Sequence, residues 1–276
     1  MAIEINDKAV LKIITDISEL GSCLWQKGWA ERNAGNISVN ITEWLTDELK
    51  MKIKSEHSLE LPLSQSYPAL TGASFLITGT GKRMRDLARD PLHNVLLIQI
   101  CERGDCLKLF PLCDSEIFIQ PTSELPTHLS IHEQLIKTGA KERALVHTHP
   151  NELIAITQIR QFCDQDALNK LLWSMHPETI VFIPEGVGFI PYLVPGSDEI
   201  AQATLKKFQT HKVIMWEKHG SFAIGINVFE AFDLIDTLAK SAQIYFQCRA
   251  AGHKPEGLPD NKLQELKELS AKFHSA

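Results

Sequence analysis

The sequence predicts an α/β fold in a single domain over residues 1–276, with a central, mostly antiparallel or mixed sheet carrying helices on both faces. Three observations carry this. Segments with apolar residues at helical spacing alternate along the chain with short β-branched runs. The runs "SFLIT", "NVLLIQICE" and "CLKLF" follow one another with only turns or a short helix between them, as in an antiparallel meander. Neither an internal repeat nor a Ser/Gly linker divides the chain.

The elements follow in order. Asn6 or Asp7 caps a first helix whose Val10, Ile13, Ile14, Ile17, Leu20 and Leu24 form one apolar face. In "WAERNAGNISVNI", Asn33, Gly35 and Asn36 break that helix, and Ile37, Val39 and Ile41 alternate as a strand. Residues 45–70, charged and then Pro- and Ser-containing, are expected to be an insertion or irregular connection. Arg103-Gly104-Asp105 supplies the meander's second turn. After "PTSELP" a helix runs from Leu125 to Thr138, with Thr122 or Ser123 as N-cap and Pro126 in the first turn. The strand "ALVHTH" follows. Helices are expected near 151–160 and 166–174, and strands at 179–183 and 188–193. Ser197 or Asp198 caps a further helix, and "KVIMWEKHG" is a buried strand ending in His219-Gly220. A long amphipathic helix runs from Val228 to about Ala251, where Gly252 can end it, and a C-terminal helix lies within 256–276.

Composition narrows the function. With 44% hydrophobic and 22% charged residues, the 276-residue chain has the make-up of a globular protein. A net charge of −6 argues against nucleic-acid binding through a broad basic surface, and no run approaches the length of a membrane span. Six scattered cysteines without a CxxC pair, and an N-terminus without a signal pattern, fit a reducing cytosol.

Several residues invite chemistry. His147 and His149 sit on the same side of a strand end, because strand side chains alternate, and Thr148 points the other way to pack or hydrogen-bond within the protein. His219 ends another apolar run. Three imidazoles with an open fourth position make a catalytic zinc set; polar strand termini are the plain alternative. Glu124 is either a first-turn carboxylate at a helix N-terminus or a general base near the metal. His128 and His132 form an HxxxH pair, but Leu129 stands where a zincin requires glutamate, so a protease is not indicated. His128 is either a support for Glu124 or a surface residue. "TGTGK" fails the P-loop pattern at Leu76 and Arg83, leaving a Gly-rich turn with the hydroxyls of Thr78 and Thr80 that is either an anion nest or a plain turn. Asn33, Gly35 and Asn36 carry the same two readings.

Taken together, "KGWAERNAGNIS", "ITGTGK", "PTSELPTH", "VHTH", "GVGFIPYLVPGSDEIAQAT" and "HGSFAIG...EAFDLIDTLAKSAQ" resemble the class II zinc aldolase and adducin family over almost the whole chain. The resemblance implies a three-layer α/β/α fold, one Zn2+ per subunit on His147, His149 and His219, and Glu124 as catalytic acid/base. It implies that Asn33, Gly35, Asn36, Gly79, Thr80, Gly81 and Ser123 bind the phosphate-bearing half of a sugar phosphate. Glu178 matches a second family acid, though its flanks diverge. A homotetramer is likewise implied. The "LVPGSDEIAQAT" stretch resembles the branch that cleaves L-rhamnulose 1-phosphate to dihydroxyacetone phosphate and L-lactaldehyde. The same parts would serve an aldolase or epimerase acting on L-fuculose 1-phosphate or L-ribulose 5-phosphate, and an adducin-like binding module would keep the fold without catalysis.

Overall fold

The structure, a computed structural model, describes residues 2–56, 58–114 and 119–274. Its contacts group into two compact units, Met1–Thr148 with Ile224–Ala231, and His149–Ala223 with Phe232–Ala276.

The first unit opens with α1 (Lys8–Gln26), capped by Asp7, whose carboxylate accepts from the amides of Ala9 and Val10. Next come β1 (Asn36–Asn40), α2 (Asp47–Ser55), β2 (Leu59–Pro62), β3 (Ser74–Thr78), a short α3 (Met84–Leu87), β4 (Val95–Ile100), β5 (Cys106–Pro111), α4 (Leu125–Thr138) and β6 (Ala144–Thr148). The strands lie in the order β2-β5-β4-β3-β1-β6, and every pairing between them is antiparallel. Alternation selects the core face. Phe75 and Ile77 on β3, Leu96, Ile98 and Ile100 on β4, and Leu107 and Leu109 on β5 are nearly inaccessible to solvent and form one cluster with Tyr67, Leu70 and Leu129.

The second unit holds α5 (Asn151–Ile156), α6 (Gln165–Met175), α7 (Pro177–Phe182), β7 (Val187–Ile190), α8 (Asp198–Lys207) and β8 (Val213–Trp216). β9 (Gly220–Gly225) and α9 (Val228–Ala250) follow, each beginning in one unit and ending in the other, and α10 (Asp260–His274) is last. β7 and β8 pair in parallel, while β8 and β9 form an antiparallel hairpin. Among the described residues nine strands make the sheet mixed and mainly antiparallel, as the sequence predicts.

Three local expectations change. Residues 45–70 are not irregular: Thr46 caps α2 through its hydroxyl, and β2 pairs with β5 as an edge strand. Residues 179–183 are expected to be a strand but lie mostly in α7, because Pro177 pre-sets the first helical turn and a short apolar run has no period of its own. The N-cap of α4 is Glu124 and not Thr122 or Ser123, with Pro126 in the first turn as expected. At its other end α4 stops at Gly139, whose positive φ of 67° suits glycine. Beyond these expectations, Cys101 and Cys106 are joined by a disulfide, because the tight turn between β4 and β5 brings their Cα atoms to 5.4 Å. Cys23, Cys113, Cys163 and Cys248 are free thiols. The helix expected within 256–276 is present as α10, and residues 275–276 lie outside those described.

Candidate active site

Four stretches of the first unit meet around the N-terminus of α4. β1 pairs with β6 so that Asn36 stands opposite His147, and with β3 on its other side. Gly79, just past β3, bridges to Pro121, and the Thr122 amide donates to the Thr78 carbonyl, so "PTSE" is tied to the "TGTG" turn. That placement delivers Glu124 to the head of α4. Its Oε1 lies 3.8 Å from His147 Nε2, and its Oε2 accepts from Asn36 Nδ2 at 2.8 Å.

His147 is buried in β6, and the next side chain along the strand points away as expected: the Thr148 hydroxyl donates to the Trp29 carbonyl at 2.7 Å. Gly35 makes the close approach possible. Its φ is +80°, and a Cβ there would stand 2.9 Å from the His147 carbonyl oxygen. Gly35→Ala is therefore expected to lose about 2 kcal/mol or more of stability, from left-handed backbone strain plus that clash, as a shift in the urea midpoint.

In the second unit, His149 and His219 pack edge to face with ring centroids 4.8 Å apart. His219 sits in the turn after β8 and not on the strand end. Its amide donates to the Trp216 carbonyl, and Lys218 takes a positive φ of 61° to close the turn. The nitrogens of His147, His149 and His219 fall within 4.8 Å of one another. Three imidazoles with a carboxylate alongside are the donor set of a divalent metal with a position left for substrate, so these residues fit a zinc-type centre. A second group, Glu60 with Cys101 and Cys106, has both sulfurs in the disulfide and so offers no thiolate.

The other predicted residues are placed differently. Asn33 and Ser123 are exposed at the loop and at the approach to α4. The Gly-rich turn is less of an anion nest than its sequence suggests: the Gly79 amide is spent on the Asn94 carbonyl and the Thr80 amide on the Gln120 carbonyl. What the turn offers an anion is the Thr80 hydroxyl and the Gly81 backbone. Gly79 is required for another reason, since a Cβ there would meet Ile119 at 2.5 Å. Glu178 lies in the first turn of α7, where its carboxylate pairs with His176 at 3.0 Å.

This chain matches the Class II Aldolase and Adducin N-terminal domain over residues 15–246. The chain belongs to the class II aldolase and adducin family. Among its relatives, the rhamnulose-1-phosphate aldolase of Bacteroides thetaiotaomicron is 45% identical over 98% of this chain and 97% of that one. The same-named protein of Shigella boydii is 36% identical over 88% and 87%. A sugar-phosphate aldolase from Thermotoga maritima superposes with a TM-score of 0.76 at 30% identity, covering 90% of this chain and all of that one. Among the described residues of this class II aldolase family member, no helix is long and apolar enough to cross a membrane.

Sequence reasoning left one part of the site open and missed another. His128, read as either a support for Glu124 or a surface residue, is fully buried on α4 together with His132, and Ser38 of β1 hydrogen-bonds to both. Burial pushes His128 well below the ordinary imidazole range, helped by His132, and pushes His132 down to about 3, helped by Arg143. A depressed imidazole is neutral in the folded chain but protonates in the unfolded one below pH about 6.5, so stability falls as the pH drops through that value. His132 is expected to cost about 2 kcal/mol at pH 5, and His128 acts in the same direction. Urea midpoints at pH 7 and 5 should diverge more for the wild type than for His132→Gln, and parallel losses would remove the assignment.

Proposed function

We propose that this family member is a zinc-dependent aldolase that reversibly cleaves L-rhamnulose 1-phosphate to dihydroxyacetone phosphate and L-lactaldehyde in L-rhamnose degradation. The observation that carries the reading is the carboxylate of Glu124 set 3.8 Å from His147 beside two further imidazoles. An acid/base group next to a Lewis-acid position is what carbon–carbon cleavage beside a ketone needs. The near full-length identity to proteins named rhamnulose-1-phosphate aldolase supports the substrate.

His147, His149 and His219 would hold one zinc ion. When bound, zinc supplies a Lewis acid that draws negative charge onto a substrate oxygen as the bond breaks. The residues do the rest. The C3–C4 bond breaks, its electron pair stays with the three-carbon phosphate fragment, and C4 becomes the aldehyde carbon. Glu124 gives its proton to C3, and removes it in the synthetic direction. Its place at the head of α4 suits a carboxylate that ionises and recharges in each cycle, since the helix N-terminus favours the anion. The C4 hydroxyl proton passes to Glu178 or to water. Asn33, Gly35, Asn36, Gly79, Thr80, Gly81 and Ser123 hold the phosphate-bearing half; for Gly79 and Gly35 the contribution is room for backbone approach. Asn36 also holds Glu124. The chain works as a cytoplasmic homotetramer with a single class II aldolase-like domain.

The test is a side-by-side assay of L-rhamnulose 1-phosphate, L-fuculose 1-phosphate and L-ribulose 5-phosphate. The highest kcat/KM is expected on the first. A higher value on either of the others would replace the substrate, and no turnover of any, with no bound zinc, would favour a binding module.

A further inference from the structure

β1 is buried on both faces, yet one face carries Asn36, Ser38 and Asn40. Along α4, Glu124, His128 and His132 follow at four-residue spacing and therefore share a stripe. The two stripes meet. Asn36 Nδ2 is 2.8 Å from Glu124 Oε2, His128 Nε2 is 2.5 Å from Asn36 Oδ1, and Ser38 Oγ is 2.7 Å from His128 Nδ1 and 2.8 Å from His132 Nε2.

We propose that His128, Ser38 and His132 are positioning residues for Glu124, acting through a one-directional hydrogen-bonded chain that locks the amide of Asn36 with its N–H toward the carboxylate. The inference rests on reading Glu124 as the acid/base.

The direction of each bond follows from what each group can do. An ionised carboxylate only accepts, so Asn36 must present its NH2 to Glu124 and its Oδ1 to His128. His128 must then carry its proton on Nε2. Both imidazoles are neutral at ordinary pH because of their burial, so each has one N–H and one bare nitrogen. Nδ1 of His128 therefore accepts from the Ser38 hydroxyl, which in turn accepts from Nε2–H of His132. All four donors point toward Glu124. His132 is held in turn by Phe75, whose ring centroid is 4.9 Å away. If the Asn36 amide flipped, its oxygen would face the carboxylate and its NH2 would face the Nε2–H of His128, two repulsive contacts in a low-dielectric setting. The amide is thus fixed before substrate arrives, and the carboxylate with it.

Imidazole nitrogen NMR on the full chain, with and without zinc, tests the protonation pattern, with signals assigned by their loss in His128→Gln and His132→Gln. Both rings are expected to be neutral Nε2–H tautomers at pH 7; an Nδ1–H tautomer or an imidazolium at His128 overturns the proposal. The functional arm compares His128→Leu, which has neither donor nor acceptor, with His128→Gln, which has both. The leucine variant is expected to lose kcat on the order of 10²-fold with KM and bound zinc nearly unchanged, and glutamine to restore most of it. Equal losses in the two variants, or a loss confined to KM or to zinc content, would mean packing alone. Should His128→Leu fail to fold, Ser38→Ala cuts the chain one bond earlier and should give the same kcat-only loss with a mixed His128 tautomer. A wild type that cleaves no sugar phosphate would defeat the aldolase reading, while the NMR result decides the chain independently.

Discussion

Glu124→Gln is expected to lower kcat for sugar-phosphate cleavage by on the order of 10²- to 10⁴-fold, the range that a positioned acid/base group contributes. Glutamine has nearly the same volume and keeps an oxygen able to accept from Asn36, so the 2.8 Å contact and the head of α4 should survive. It cannot exchange a proton with C3. The three imidazoles are untouched, so bound zinc should stay at one per chain. Kinetics together with elemental analysis read both quantities. A rate near that of the wild type would remove the acid/base role, and loss of zinc would make Glu124 a structural partner of His147.

Removal of metal should have an effect at least as large. Chelator-treated protein is expected to lose cleavage by on the order of 10³-fold or more and to regain it with added zinc, because Lewis-acid stabilisation contributes several kcal/mol to such a barrier and each 1.4 kcal/mol is tenfold. The His147, His149 and His219 set makes the loss specific. His149→Ala should lower zinc stoichiometry without disturbing β6, since His149 lies just beyond the strand's last residue, Thr148. Undiminished cleavage by metal-free protein would overturn the metal-assisted reading.

Much of the fold was legible because its signals are local. Asp7 before an apolar-periodic stretch, Ser197 before α8, and the Arg103-Gly104-Asp105 turn between two alternating runs all act within a few residues of where they stand. The misread segments lack such a signal. "PETIVF" has too few residues for a period to show, so Pro177 decided for helix. The edge strand β2, only four residues long and ending in proline, reads as a loop until β5 is seen to pair with it.

The site divides in a similar way. His147 lies in β6 and His149 one residue past its end, so strand alternation suggests from sequence that the two face one side, and that Thr148 takes the opposite course. Placing His219 needed the hairpin turn, where Lys218 accepts a left-handed conformation.

What the sequence by itself determined, then, is residue type and local period: three imidazoles, a carboxylate at a helix start, and a strand with apolar residues on alternate positions. Only the tertiary structure decided that the polar face of that strand, Asn36 with Ser38, is covered by His128 and His132 of α4 and does not meet water. The period of a strand says which residues share a face but not what covers it, and a polar face usually goes to solvent. Here burial keeps both histidines neutral, and a carboxylate that can only accept from Asn36 then turns each hydrogen bond toward Glu124.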